Sequence, residues 1–401
     1  MGRPGARDPR DPRGEQLKVL VTTARMPFAL GLIRRLGEAG HEVLASDTYP
    51  AAPGGHSRFV SGHFVTPAPK LDPPGFVAQV ARIAAEEEVD LIVPPWEDVF
   101  YLAALRHRLP ASAELYAAQF EALARLHDKS TFQDLAEELG VRAPATVTAR
   151  SHDELVAATE RFPRYFARAA FSRGGIELLT NTGPLAGHVS IDDVSPSDES
   201  PWLVQEFVDG PMICTYSTLQ NGRATAHCTY RAPRQWEHST GIQFESIDGS
   251  ESLAVVEKIG AAVGYTGQIS FDFVDADDGI VIIECNPRTT DGILLMGAGQ
   301  VGGGIADPSQ ELSMVEPGRL VELDFAVFAQ IFREPLREMP DSIHDLLHVR
   351  DADTGWHDHL PLLYSFLALA HHERLNIHER QKLMAAMSED VCWNGEPIPG
   401  A

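Results

Sequence analysis

Through its first 120 residues the chain alternates short apolar runs with longer stretches in which apolar residues recur every three or four positions. Residues 18–24 (KVLVTTA), 41–46 (HEVLAS) and 90–94 (DLIVP) are the apolar runs of buried strands. Residues 28–39 and 75–88 have the period of amphipathic helices, the first stopped by Gly40. Strand and helix alternating in this way predict an α/β unit whose parallel sheet is flanked by helices. Ligands of such sheets gather beyond the carboxyl ends of the strands. That puts residues 22–25 and 95–98 (PWED) near a candidate site.

Beyond residue 120 the pattern changes. Residues 126–140 read as one helix carrying Lys129, residues 164–169 as a strand, residues 172–175 (SRGG) as a tight loop, and residues 181–200 as a polar loop around a short helix. Strand signals then dominate, at 202–207, 212–220, 224–230, 267–274 and 280–285, with one helix at 252–264. The last hundred residues are predicted to be mostly helical, and no internal repeat is visible. Residues 1–17 are basic, polar and rich in proline. They lack the apolar centre of a signal peptide and read as a disordered extension.

Composition narrows the function. A chain of 401 residues suits two or three domains. Its 33 Lys and Arg against 57 Asp and Glu give a formal charge of -24, which repels phosphodiester backbones and anionic lipid. Nucleic acid and membrane are therefore not expected as partners, and no apolar run approaches the roughly 18 residues of a membrane span. The four cysteines form no C-x-x-C pair, which argues against a zinc cluster and for reduced thiols in a cytoplasmic protein. With 16 histidines in the chain, the pairs His357/His359 and His371/His372 are expected by chance. No G-x-G-x-x-G follows the first strand (TTARMPFALG), so there is no dinucleotide fingerprint there, and no G-x-x-x-x-G-K-[ST] occurs anywhere, which excludes a P-loop.

The strongest chemical signal is residues 267–288, GQISFDFVDADDGIVIIECNPR, which read as a hairpin with an acidic turn ending in glycine. Residues i and i+2 of a strand share a face, so Glu284 and Asn286 point the same way. A three-residue loop at 277–279 would set Asp272 opposite Glu284; a loop one residue longer or shorter would put them on opposite faces. Opposed carboxylates destabilise a sheet unless a cation joins them, and few hard oxygen ligands with open positions suit Mg²⁺ carrying phosphates. A solvated acidic hairpin is the alternative. Arg288, two residues beyond Asn286, faces the same site if the strand runs on, although Pro287 favours an end there. Arg231 and Arg234 (TYRAPRQW) are read as a loop near the cleft that could bind phosphate or a carboxylate.

Asp272 followed by Glu284-Cys-Asn286-Pro-Arg288 resembles the metal-binding signature of the ATP-grasp superfamily, and the likeness runs from about residue 18 to 295. It implies a parallel-sheet preATP-grasp domain over 18–120 and then a two-subdomain α+β ATP-grasp fold. The small subdomain would span 121–200 and the large one 201–300, with a helical C-terminal region, 301–401, packed on the core. It also implies ATP and Mg²⁺ (or Mn²⁺) as cofactors, with Asp272, Glu284 and Asn286 as metal ligands. By resemblance Lys129 is the first phosphate lysine, Arg168 stands in place of the second, and Ser172, Gly174 and Gly175 belong to the loop that closes over the phosphates. Gln205, Glu206, Phe207 and Val208 match the segment that holds adenine through its backbone. The usual ribose glutamate falls on Met212, a departure from the pattern. Arg288 would stabilise the transferring phosphoryl group or hold the acyl phosphate.

Within the superfamily, CTYSTLQNGRATAHCTYR and FDF…ECNPRTTDGI look most like carbamoyl-phosphate-synthase-like ligases of secondary metabolism, such as the enzyme joining glycine to a cyclohexenone in mycosporine biosynthesis. The implied activity is a carboxylate–amine ligase acting on small molecules through an acyl phosphate. Two alternatives stay open: a phosphotransferase using the same site, and a non-catalytic nucleotide-binding protein. A homodimer also stays open.

Overall fold

The apolar runs near the start of the chain become the strands of a five-stranded parallel sheet, ordered β3-β2-β1-β4-β5. The strands are β1 (Lys18–Val21), β2 (Glu42–Asp47), β3 (Val60–Val65), β4 (Leu91–Val93) and β5 (Glu114–Leu115), and the helices are α1 (Pro27–Glu38), α2 (Pro73–Glu86) and α3 (Asp98–Ala104). Proline at the first helical position costs α1 no hydrogen bond, and Asp72 caps α2 by accepting from Gly75 N–H. β1 is shorter than its apolar run because the chain turns at Thr23, whose φ is 47°. β3 has no apolar run to betray it, being an edge strand of half-buried residues. The computed structural model describes residues 16–172, 178–183, 185–236, 240–331, 339–352, 357–368 and 388–401. Most of the expected N-terminal extension, residues 1–15, lies outside these. Leu17 is part of the fold, its N–H donating to His41 Nδ1 at 3.2 Å.

Where one helix was expected over 126–140 there are two, α4 (Phe120–His127) and α5 (Lys129–Glu138). Asp128 breaks them: its backbone is extended and its carboxylate accepts from Ser130 N–H at 2.8 Å, capping α5. Lys129 is thus the first residue of a helix rather than an interior one.

A four-stranded antiparallel sheet follows, ordered β6-β9-β7-β8 from β6 (Thr146–Ala149), β7 (Tyr165–Ala169), β8 (Leu178–Thr180) and β9 (Trp202–Glu206), with α6 (His152–Thr159) packed on it. The third sheet is built from β10 (Met212–Gln220), β11 (Arg223–Trp236), β12 (Thr240–Ile247), β13 (Gly267–Ala276), β14 (Gly279–Asn286), β15 (Ser313–Met314), β16 (Leu320–Glu322) and β17 (Arg350–Asp351). Its main path is β14-β13-β10-β11-β12-β16-β17, with β15 beside β11. Helix α7 (Ser250–Val263) ends at Gly264, whose φ of 58° suits glycine. It is followed by α8 (Ala298–Ala306), α9 (Asp324–Ile331) and α10 (Met339–His348).

The region beyond residue 300 is therefore not simply helical: it adds three strands to the sheet, each too short to show a period in the sequence. The final segment, 388–401, folds back onto the first sheet through an ion pair from Arg25 to Asp390 at 2.8 Å. Among the described residues no helix is long and apolar enough to cross a membrane.

Candidate functional site

Ala276 pairs with Gly279, so the β13–β14 turn has two residues, Asp277 and Asp278, one fewer than the pattern implied. An unbroken ladder from that turn would set Asp272 against Ile283. Instead a bulge skips Ile283: Phe273 pairs with Ile282 and Asp272 with Glu284. The expected juxtaposition thus forms by another route. Asn286 completes it, its Nδ2 donating to Asp272 Oδ2 at 3.2 Å and to Glu284 Oε1 at 3.4 Å.

Two cations reach this cluster from other elements. Arg168 on β7 donates through Nη1 to Glu284 Oε2 and through Nη2 to the Ile283 carbonyl at 3.0 Å, so the bulged residue supplies an acceptor to the same guanidinium. Lys129, buried at the start of α5, places Nζ 3.7 Å from Glu284 Oε2 and donates to the Ser172 carbonyl at 2.7 Å. Burial alone would raise the Glu284 carboxyl, but Arg168 and Lys129 outweigh it and hold that carboxyl well below the usual carboxylate range. Asp272 goes the other way: burial first, then the Glu284 charge, push it up to about 7.

Arg288 extends the site toward the first sheet. Its Nη2 donates to Asn286 Oδ1 at 3.1 Å, its guanidinium lies 4.1 Å from the centre of the Trp96 ring, and its Nε is 3.7 Å from Glu97 Oε1. Trp96 and Glu97 belong to the PWED segment at the carboxyl end of β4, where the strand pattern pointed. Lys129, Arg168, Asp272, Glu284, Asn286 and Arg288 therefore form one connected group. Two oxygen-bearing carboxylates and an amide, open on one side, could hold a hard divalent cation. The neighbouring cations could hold phosphate oxygens.

Other expected residues stand further off. Gln205 lies on β9 against Phe166, two residues before Arg168 on β7. Its side chain is buried and donates to Thr146 Oγ1 at 3.1 Å. The backbone N–H groups of Glu206 and Phe207 are taken by the carbonyls of Ala145 and Arg164, at 2.9 and 3.0 Å, while that of Val208 makes no hydrogen bond among the described residues. Met212, at the usual ribose position, is exposed. Ser172 contributes its carbonyl to Lys129, and its hydroxyl donates to the Ala169 carbonyl at 2.8 Å. Gly174 and Gly175 lie outside the described residues.

Arg231 is a correction. It sits inside β11, not on a loop, as does Arg234. Cys214 pairs with both Asp272 and Tyr230, so Tyr230 shares the Asp272 face and its neighbour Arg231 is on the opposite one. There Arg231 is exposed and donates to Glu245 at 2.8 Å. Sequence reasoning missed Cys214, which pairs with Asp272 between β10 and β13, and His127, which lies 3.8 Å from Glu97. Cys214 is recognisable only once β10 is known to neighbour β13.

A cavity of about 250 Å³ opens behind the hairpin between Val141, Lys258, Phe273 and Ile282. Phe273 alternates with Asp272, so this cavity is on the far side of the strand from the cluster.

No protein-family model matches the chain. A stretch of 183 residues is 25% identical to the carbamoyl phosphate synthase large chain of Pseudomonas aeruginosa, covering 42% of this chain and 17% of that protein. The same protein of Halomonas eurihalina is 22% identical over 230 residues, covering 54% of this chain and 21% of the relative. The chain thus spans about a fifth of the length of these relatives. Among solved structures, the biotin carboxylase domain of Hydrogenobacter thermophilus 2-oxoglutarate carboxylase, bound to MgADP, ADP and bicarbonate, matches with a TM-score of 0.58 at 13% identity, covering 76% of this chain and 74% of that one. N5-carboxyaminoimidazole synthetase from Staphylococcus aureus matches at 0.58 and 13%, covering 81% and 86%. Phosphoribosylamine–glycine ligase from Thermotoga maritima matches at 0.56 and 14%, covering 76% and 78%. At these identities the likeness is one of fold.

Proposed function

We propose that the chain is a member of the ATP-grasp superfamily, a reading its likeness to carbamoyl phosphate synthase large chains and to the fold of biotin carboxylase supports, and that it is an ATP- and magnesium-dependent ligase that activates a small carboxylate as an acyl phosphate and couples it to an amine. The observation carrying this reading is the meeting of Lys129 and Arg168 with Glu284, beside Asp272 and Asn286. Two cations from one side and a carboxylate pair from the other are what a magnesium–polyphosphate ligand requires. The solved neighbour with MgADP bound supports the same ligand.

The donor set fits Mg²⁺ in its chemistry: Asp272 and Glu284 offer carboxylate oxygens, and Asn286, whose Nδ2 now faces both carboxylates, would offer its Oδ1 once the amide turned over. Asp272, Glu284 and Asn286 would hold the ion, which would supply positive charge to offset that of the phosphates. Lys129 and Arg168 exchange Glu284 for phosphate oxygens. Ser172, whose carbonyl accepts from Lys129 Nζ, stands where the phosphate loop would begin. Adenine is held by the backbone of residues 205–208, where Val208 N–H is the available donor. Arg288, steadied on Trp96, stabilises charge on the transferring group. A substrate carboxylate oxygen attacks the terminal phosphorus, and the bond from that phosphorus to ADP breaks. The amine nitrogen then attacks the acyl carbon, phosphate leaves, and the nitrogen gives up its proton. The protein contributes chiefly positioning and fixed charge.

A screen of ADP release by the purified protein, over small carboxylates and amines, tests this. The expected result is ADP release that carboxylate and amine together raise above basal MgATP hydrolysis, with hydroxylamine replacing the amine to give a hydroxamate. ADP release with accumulation of a phosphorylated product and no hydroxamate would assign phosphotransfer instead. ATP binding with no turnover across the screen would assign nucleotide binding alone.

A further inference from the structure

The end of the chain returns to the point where the first sheet meets the phosphate-side residues. Asp390 accepts from Arg25 at 2.8 Å and 3.1 Å, its carbonyl accepts from Lys70 N–H at 3.0 Å, and the Cys392 carbonyl accepts from Tyr101 Oη at 3.2 Å. These contacts fix Trp393. Its N–H donates to Glu97 Oε2 at 3.0 Å, and its carbonyl bonds to His127 Nε2 at 3.2 Å.

One of those partners contacts a residue of the proposed site, and the other stands two positions before one in sequence. Glu97 is wholly buried, and its other oxygen, Oε1, is the one 3.7 Å from Arg288 Nε. A buried carboxylate needs partners to stay charged, and those of Glu97 include the Trp393 N–H and His127 at Oε2 and Arg288 at Oε1. His127 is the last residue of α4, followed by the capping Asp128 and then Lys129. The Trp393 ring stacks on Phe100 at 4.9 Å and meets Phe171 edge-on at 5.8 Å. Phe171 lies between Ala170 and Ser172, whose carbonyls receive Lys129 Nζ. Gly395, with φ of 87°, comes so close to the Phe171 ring that a Cβ there would lie 2.7 Å from it.

We propose that residues 388–401 form a positioning strap for this site, in which the Trp393 main chain holds Glu97 and Glu97 in turn orients Arg288. The proposal rests on the reading of the site as one for MgATP. Neither Trp393 nor Glu97 touches the nucleotide or the transferring group in this arrangement; they act through Arg288 and through the start of α5. Loss of the strap therefore slows the chemical step more than it weakens nucleotide binding.

The experiment measures MgATP hydrolysis and calorimetric binding of MgADP for Glu97→Gln, Trp393→Ala, Trp393→Phe and Gly395→Ala in the full-length protein. Glu97→Gln keeps an acceptor for the Trp393 N–H and removes the charge facing Arg288. It is expected to lower kcat about tenfold or more while MgADP affinity stays within about threefold of wild type. Trp393→Ala should do the same and Trp393→Phe should recover most of the rate, since it keeps a ring on Phe100. Gly395→Ala, strained at its φ, should lower kcat without touching any site residue. Adding Arg288→Lys to Glu97→Gln should cost no more than about threefold beyond Arg288→Lys alone, because both act on one group. A purely structural strap would instead lower the melting temperature and leave kcat per folded molecule unchanged, and that result overturns the proposal. Wild-type protein that neither binds MgADP nor hydrolyses MgATP would overturn the reading of the site as well, which separates the two failures.

Discussion

Asp272 and Glu284 face each other across one ladder, yet Lys129 and Arg168 both lie on Glu284. The carboxylates are therefore not equivalent. Opposed like charges by themselves would make neutralising either one stabilising. Glu284→Gln instead leaves Arg168 and Lys129 unmatched. It should destabilise the ligand-free protein by about 1–3 kcal/mol, below the roughly 3–5 kcal/mol of a wholly buried pair because the carboxylate keeps some exposure. Asp272→Asn should be neutral or stabilising. Both should cut MgATP turnover by about a hundredfold or more if the pair holds the metal. Thermal melts with and without MgADP, beside ADP-release rates, separate the cases. Equal stability changes in the two variants would refute the division of roles.

The raised Asp272 carboxyl gives a pH signature of defined sign. The folded, ligand-free protein keeps this proton up to about 7, while the unfolded chain loses it near 3.8. Between those values unfolding releases a proton, so stability falls as pH rises through the window. Asp272→Asn removes the effect, and its advantage over wild type should grow from pH 4 to 7 and then level off. Glu284, depressed in the folded state, acts oppositely: its contribution is present above its ordinary value and is lost as pH falls below about 4.5. Paired melts of wild type and Asp272→Asn across this range test it. Parallel curves would show that Asp272 is already ionised at low pH.

Arg168 should carry ATP affinity through its charge more than its shape. Arg168→Lys keeps a cation near Glu284 but loses the second bond to the Ile283 carbonyl. It is expected to retain measurable turnover. Arg168→Ala should raise the apparent KM for ATP by about tenfold or more, the scale of one charge-assisted contact. Unchanged ATP binding in the alanine variant would remove Arg168 from the phosphate site.

What could be read from the sequence was set by how locally each feature is encoded. The parallel sheet was legible because apolar runs are local, and i, i+2 spacing set Glu284 and Asn286 on one face; Lys129 was singled out by the resemblance and not by any local pattern. The register of the hairpin was not legible: the turn is one residue shorter than the pattern suggests, and a bulge at Ile283, which no sequence period announces, restores the pairing. The break at Asp128 was legible in principle, since Asp followed by Ser is a capping signal, but an apolar period running across it concealed the break. β3 and the strands beyond residue 312 were hidden by being short or at an edge. The bond from Trp393 to Glu97 joins residues 296 apart in sequence, and such a contact exists only in the folded chain.

Arg231 and Arg288 offer the sharpest contrast for mapping the site. Both are arginines at the ends of chemically suggestive motifs, and both were candidates for contact with the reacting groups. In the folded chain Arg288 shares Asn286 and Trp96 with the acidic cluster, whereas Arg231 lies across the sheet in an exposed pair with Glu245. Exposed pairs of this kind contribute about 0–1 kcal/mol. Arg231→Ala should therefore leave the melting temperature, MgADP affinity and turnover nearly unchanged. Arg288→Ala should keep MgADP affinity within about threefold but lower turnover by about a hundredfold, the loss typical when a charge-stabilising donor is removed. It should also leave Glu97 buried without its guanidinium, so some loss of stability is expected. Arg288→Lys would restore part of both. If Arg231→Ala abolished turnover while Arg288→Ala did not, the face of the sheet assigned to the chemistry would be the wrong one.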